Sequence, residues 1–385
     1  MHITKDIFHV GVNDHQLDLF EGQYPVPNGM AYNSYIIADE KIAVMDAVET
    51  RFSQQWLDQI RTILGDRTPD YLIVQHMEPD HSSSIFAFMQ AFPGAIIVAS
   101  KKAFPMMQQF YGTDFSERRV IVDEGNTLSL GAHTLTFFTA PMVHWPEVIL
   151  TYDQTAEVLF SADAFGKFGA LDVEDDWACE ARRYYFGIVG KFGPQVLALF
   201  KKLEGAALQA ICPLHGPVLT ENLDYYLEKY QLWASYEAED DGVTIACASI
   251  YGHTMEAARL LKEKLEALGC PRVALHDLAR NDVFEAVEDA FRHGTLVLAA
   301  SSYNGDVFPF MRDFIQHLTH RNYQNRTVAL IENGTWGPTA GKTMMKLLEG
   351  SKNLSMPHPM VTIRSALNAQ STQAIEELAL AIWPR

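Results

Sequence analysis

The sequence predicts a two-domain α/β protein: a two-sheet core with helices outside it, then a doubly wound parallel sheet. Three observations predict this. The chain has 385 residues, more than one domain of roughly 150 residues usually holds. Residues 1–240 carry strand-like apolar runs in close succession with few helices between them, whereas 241–385 alternate strand and helix five times. The charge is also unevenly shared, with 16 Lys+Arg against 33 Asp+Glu in 1–240 and 14 against 15 in 241–385. A domain boundary is therefore expected at 240/241, in the polar stretch Glu237-Ala238-Glu239-Asp240-Asp241-Gly242.

In the first half, short apolar runs predict strands at 35–37, 42–45, 71–75, 95–98, 119–122, 134–138, 148–152, 158–161 and 208–211. Helical spacing predicts helices at 54–64, 83–91, 184–203 and 222–236. In the second half, strands at 243–248, 273–276, 295–300, 327–331 and 360–363 are each followed by a helix, at 254–268, 283–291, 311–318, 339–348 and 372–382. Strands separated by helices pair in parallel, with the helices covering both faces.

Composition bounds the function. Hydrophobic residues make up 48% and charged residues 20%, as in a folded globular protein. The net charge of -18 argues against nucleic acid or an anionic membrane as the main partner, since both attract a basic surface. No apolar run is long enough to span a bilayer, and the N-terminus has no charged leader before an apolar core. Cys179, Cys212, Cys247 and Cys270 form no CxxC pair, which suits a reducing cytoplasm.

The densest chemical motif is His76-Met77-Glu78-Pro79-Asp80-His81, directly after a predicted strand. Four groups able to bind a metal within six residues are rarely structural, because buried charge is costly unless paired or coordinated. His144, Asp163 and His215 also follow strand ends and fit the same site. Seven ligands suffice for two metals that share one. A carboxylate can bridge through its two oxygens, and Asp163 is the candidate bridge. Four histidines with three carboxylates suit first-row divalent metals.

This pattern resembles the metallo-β-lactamase superfamily, whose ligand run is HxHxDH. Glu78 replaces the second histidine, and HxExDH is the mark of the flavodiiron proteins. Later His, Asp and His ligands follow in that order, with 62 residues between His81 and His144 and 18 between His144 and Asp163. The resemblance implies one iron on His76, Glu78 and His144, another on Asp80, His81 and His215, and Asp163 bridging. It also implies an αββα sandwich for residues 1–240. A hard carboxylate in place of an imidazole favours iron.

In the second half, Ser249-Ile250-Tyr251-Gly252-His253-Thr254 follows the first strand and opens a helix. Backbone N–H groups at a helix start, with Ser and Thr hydroxyls, make an anion site. GxGxxG is absent, which disfavours a dinucleotide. The loop resembles the flavodoxin phosphate loop, which binds the phosphate of FMN, with His253 where Asn is usual. Ser301, Ser302, Tyr303, Asn304 and Gly305 follow the third strand, and Asn333, Gly334, Thr335 and Trp336 the fourth. Strand carboxyl ends are where open α/β sheets bind ligands. Tyr303 and Trp336 can lie against a flat ring. The flavodoxin-like strand order is 2-1-3-4-5.

The resemblance to flavodiiron proteins covers nearly the whole chain. It implies an oxidoreductase in which FMN passes electrons to a di-iron site that reduces dioxygen to water, nitric oxide to nitrous oxide, or both. It further implies a head-to-tail homodimer, or a dimer of dimers, and a separate donor such as a rubredoxin-like protein or a reduced deazaflavin. Tyr184, Tyr185 and Tyr24 could stand near the substrate. The rival readings are a binuclear zinc hydrolase with a flavodoxin-like module, and an electron carrier with a degenerate metal domain.

Overall fold

Two sheets facing each other across one apolar core make up the first unit of the computed structural model, which describes residues 2–384. The first sheet runs in the spatial order Ile7–His9, Tyr35–Ala38, Ile42–Met45, Tyr71–Val74, Ile96–Ser100, Arg119–Val122. Its first two pairings are antiparallel and the rest parallel. The second runs Thr127–Ser129, Thr134–Thr139, Ile149–Asp153, Val158–Phe160, Ala210–Cys212, with only the last pairing parallel. Alternate residues such as Ile37, Met45 and Ile73 meet Phe137, Ile149 and Phe160 in the core. Their neighbours Ile36, Val44 and Leu72 are buried as well. Burial on both faces is why these strands read as unbroken apolar runs. Helix Ser53–Leu64 contributes Trp56, Ile60 and Leu64, four residues apart on one face.

The single helix expected over 184–203 is instead four pieces. Helix Trp177–Tyr184 runs into a wide π-helical turn at Tyr185–Val189, a tight turn at Gly190–Phe192 and helix Gly193–Lys202. Gly187 marks the break. A Cβ there would lie 2.9 Å from the Tyr24 ring, whose hydroxyl donates to the Gly187 carbonyl at 2.8 Å. Helix Ala103–Tyr111 was not expected from the sequence, because Pro105 falls in its first turn and its Met and aromatic residues show no polar stripe.

The second unit is a sheet in the order Val273–Asp277, Asp240–Ala248, His293–Tyr303, Arg326–Asn333 and then the edge strands Leu354–Ser355 and Val361–Ile363. All these pairings are parallel, which is the 2-1-3-4-5 order. Pro357 and Pro359 interrupt the edge, where a strand tolerates proline. Five helices cover the sheet: His253–Ala267, Val283–Arg292, Pro309–His320, Ala340–Leu348 and Ala369–Ile382. The compact units divide at Met1–Gln231 and Leu232–Arg385, earlier than 240/241. Arg326 draws the intervening segment into the second unit by donating to the carbonyls of Tyr236 and Glu237 at 2.6 and 3.1 Å.

Candidate functional site

Each predicted metal-binding segment begins where a strand of the first unit stops. The run from His76 leaves Tyr71–Val74, and Asp163 and His215 closely follow Val158–Phe160 and Ala210–Cys212. Pro79 opens the short helix Pro79–Ser82, a position that needs no N–H donor. That turn carries Asp80 and His81 back beside Glu78 within a few residues of chain.

The structure brings all seven predicted side chains together in two groups. In one, His76 Nε2 lies 3.3 Å from Glu78 Oε2, 3.3 Å from His144 Nε2 and 3.2 Å from Asp163 Oδ2. His144 Nε2 lies 3.0 Å from Glu78 Oε2 and 3.1 Å from Asp163 Oδ2. In the other, His81 Nε2 lies 3.0 Å from His215 Nε2 and 3.3 Å from both Asp80 Oδ2 and Asp163 Oδ1. His215 Nε2 lies 3.2 Å from Asp80 Oδ2. Two ligand atoms about 2.1 Å from a shared ion sit roughly 3.0 Å apart at a right angle and about 3.4 Å apart at the tetrahedral angle. These spacings fall within that range, Asp163 turns one oxygen toward each group, and His215 Nε2 stands somewhat farther from its Oδ1, at 3.7 Å.

The donor chemistry fits metal ions. Asp163, His76, His81 and His215 are fully buried, yet no donor is aligned on either oxygen of Asp163 or of Asp80. An anion buried in this way needs a cation. Without metal, the histidines would supply the charge. Burial opposes protonation of His76, but Asp163, Glu147 and Glu78 outweigh it and hold the imidazole well above its usual range. His144 is likewise lifted to about 9 against its own burial by Asp163 and Glu78. Burial pushes Asp163 upward, but His76, His144 and His81 hold it well below the carboxylate range.

Surrounding groups fix the tautomers. His215 Nδ1 is 2.7 Å from the Ala31 carbonyl, which only accepts, so Nδ1 carries the proton and Nε2 is free for a metal. His76 Nδ1 donates to Glu147 Oε1 at 2.8 Å, and the Met77 N–H donates to the same oxygen at 2.9 Å. Asp46 accepts from the backbone of Gln75 and His76 at 2.7 and 3.3 Å, holding the start of the run.

Sequence reasoning missed Glu147, Asp46 and Glu21. Partial desolvation and then the charge of Glu78 push the Glu21 carboxyl up to about 7, although the residue as a whole stays exposed, at the outer edge of the first group. Of the three tyrosines singled out, Tyr184 faces the site. Its hydroxyl is buried with no hydrogen-bond partner, and its ring centroid is 5.4 Å from that of His215. Burial and then the charges of Asp163, Glu78 and Asp80 hold its phenol well above the usual range. Tyr185 packs on Tyr230 and Tyr24 caps the Gly187 turn.

A second site lies at the strand ends of the other unit, a cavity of about 320 Å³. Ser249, Ile250, Tyr251, His253, Thr254, Ser301, Ser302, Tyr303, Asn304, Gly305, Asn333, Gly334, Thr335 and Trp336 all line it, together with Gly337 and Ser365. Gly252 does not line it. With φ +97° it makes the turn into helix His253–Ala267, a conformation glycine adopts freely. Tyr251 and Trp336 are more than nine-tenths exposed, as flat walls awaiting a flat partner would be. Ser365 follows the fifth strand, whose loop the sequence reading did not use. It exchanges backbone–side-chain hydrogen bonds with Asn333 at 2.9 and 3.1 Å, which occupies the Asn333 amide. The lining holds no Lys, Arg, Asp or Glu, so an anion here would meet neutral donors and His253.

Residues 30–216 match the family model described as ODP family beta lactamase. Nitric oxide reductase of Moorella thermoacetica is 29% identical over 397 residues, covering 100% of this chain and 98% of the relative. Diflavin flavoprotein A 1 of Synechocystis sp. is 31% identical over 294 residues, which is 74% of this chain and only 51% of that longer protein. The rubredoxin oxygen:oxidoreductase structure from Desulfovibrio gigas superposes with a TM-score of 0.92 at 25% identity, covering 99% of this chain and 97% of the other. The flavodiiron protein from Giardia intestinalis shares the fold with a TM-score of 0.90 at 22% identity, covering 99% and 95%. Likeness from end to end, across a metal-ligand half and a flavodoxin-like half joined in the same order, places this chain in the flavodiiron protein family.

Proposed function

We propose that this flavodiiron protein is an oxidoreductase that reduces dioxygen to water, nitric oxide to nitrous oxide, or both, with FMN and two iron ions as cofactors. The observation that carries the proposal is the division of Asp163 between two groups of donors, each holding two imidazoles and only oxygen besides. Such donor sets, free of thiolate, suit a hard redox metal. His76, Glu78 and His144 would hold one iron with Oδ2 of Asp163, and Asp80, His81 and His215 the other with Oδ1. Bound there, iron supplies Lewis acidity and one-electron redox change, and the flavin supplies stored electrons.

The chain's own groups do the rest. Tyr184 keeps its phenolic proton and can donate a hydrogen bond to a bound gas molecule. The burial of the donor side chains would keep bulk water away from the centre. At the other site, Ser249, Thr254 and the N-terminal N–H groups of helix His253–Ala267 suit the FMN phosphate. Tyr251, Tyr303 and Trp336 suit the ring faces. Dioxygen needs four electrons and four protons to give two waters. Two nitric oxide molecules need two of each to give nitrous oxide and water.

A cytoplasmic homodimer, or dimer of dimers, served by a rubredoxin-like protein or reduced deazaflavin, belongs to the same proposal. Among the described residues no helix is long and apolar enough to cross a membrane. The zinc hydrolase reading is not favoured, because relatives matched over nearly the whole chain are named nitric oxide reductase and rubredoxin-oxygen oxidoreductase. The test is anaerobic reduction followed by stopped-flow mixing with dioxygen and, separately, nitric oxide. At least one gas should rapidly reoxidise both centres. Slow reoxidation of flavin alone, with peroxide released, would overturn the proposal.

A further inference from the structure

The two groups of metal donors are matched in composition but not in what stands behind them. Each has two imidazoles, one carboxylate of its own and one oxygen of Asp163. Behind His76 lies Glu147, whose side chain is fully buried and whose Oε1 takes the Nδ1 proton at 2.8 Å. Behind His215 lies only the neutral carbonyl of Ala31. The buried Nδ1 of His81 has no hydrogen-bond partner; the Asp46 carboxylate acts on this ring only through its charge, its oxygens being taken by the backbone and amide of Gln75 and the backbone of His76. A carboxylate hydrogen-bonded to a ligating imidazole draws the N–H proton toward itself and makes the opposite nitrogen a stronger donor. It also adds a full negative charge close to one metal position, in surroundings of low dielectric that screen it poorly.

We infer that Glu147 is a positioning residue that makes the His76–Glu78–His144 position the tighter and more electron-rich of the two. The inference rests on the di-iron reading and adds an inequality to it. An ion in this position is held longer and is the harder to reduce. The ion held by Asp80, His81 and His215 leaves first and accepts an electron first.

Glu147→Gln is the informative variant. The amide keeps the size of the side chain and an oxygen for both hydrogen bonds, while the charge is lost. Full-length protein loaded with ferrous iron under anaerobic conditions is challenged with a chromogenic chelator, and release is followed in time. Wild-type protein should release two ions per chain in two phases. In Glu147→Gln the slow phase should accelerate by about 10- to 100-fold, the range seen when such outer partners are removed, with the fast phase unchanged. In an EPR-monitored redox titration, the more negative of the two iron potentials should rise and the other stay. Glu147→Asp keeps the charge and should restore most of the slow phase. It also serves as the test should the Gln variant not fold, because the shorter side chain must then still show two distinct phases.

A single release phase in wild type, equal acceleration of both phases, or an unmoved slow phase would each overturn the inference. Fewer than two ions bound per wild-type chain would instead overturn the di-iron reading beneath it.

Discussion

Asp163 is the one side chain on which both groups of donors depend. Replacing it with Asn leaves one oxygen where two were aimed and removes the shared charge. Asp163→Asn is expected to lower bound iron from the proposed two ions per chain to less than one, as measured by elemental analysis of the purified protein. The histidines set the pH dependence. In the metal-free chain, His76, His81 and His144 are held protonated beyond their ordinary range despite burial, chiefly by Asp163 and the adjoining carboxylates. A metal must displace those protons, so its affinity should rise with pH and level off only above about 9, the value to which His144 is lifted. The same shift has the opposite sign for stability. Pairing of His144 stabilises the metal-free fold fully below its ordinary value of 6.5, and that contribution is lost as pH rises through about 9. Iron titrations with a competing chelator and thermal melts of metal-free protein, both across pH 6 to 10, check the two trends. An affinity that does not change with pH would show that the histidines are neutral before metal arrives. The candidate ligands could be picked out in the sequence because four of them crowd into six residues. Glu147, Asp46 and Glu21 were not. Each is a lone acid in an ordinary loop, and only the fold carries it to the run that starts at His76.

The elements of the second unit were easier to foresee than those of the first. A parallel strand buried on both faces, followed by an amphipathic helix, repeats with a period that composition alone reveals. In the first unit the N-terminal strands are two or three residues long, too short for alternation to show. The region 184–203 looked like one helix because its apolar spacing continues through Gly187 and Gly190. The break depends on Tyr24 lying against Gly187, a contact between segments far apart in the chain. Ser302 shows how a loop residue can serve an element rather than a ligand. Its hydroxyl accepts from the N–H groups of Thr339 and Ala340 at 2.8 and 3.0 Å, so it caps helix Ala340–Leu348 from another strand's end. Ser302→Ala should therefore lower stability by about 1–2 kcal/mol, the usual loss on removing a cap. Denaturant unfolding of the flavin-free protein measures this. If Ser302 served FMN instead, stability without flavin would be unchanged and only FMN affinity would fall.

At the scale of the whole molecule, the proposed dimer makes a prediction that neither site makes alone. If one subunit's flavin serves its partner's iron, the two defects of two different variants can compensate each other within a dimer. Asp163→Asn supplies a subunit with a working flavin pocket and a failed metal centre. Ser249→Glu supplies the reverse, because a carboxylate would stand where the phosphate must sit and repel it. Each variant alone should be inactive as a homodimer. In a hybrid dimer of one subunit of each kind, the first subunit's flavin faces the second subunit's intact metal centre, which leaves one working pair of the usual two. Two-fold symmetry then predicts about half the wild-type gas-reductase turnover per hybrid dimer. If electrons pass only within a chain, neither subunit holds both working sites, and the hybrid is as inactive as the two parents. Differently tagged variants, co-expressed and purified through both tags, isolate the hybrid for this measurement. Activity near half of wild type supports exchange between subunits, and none refutes it.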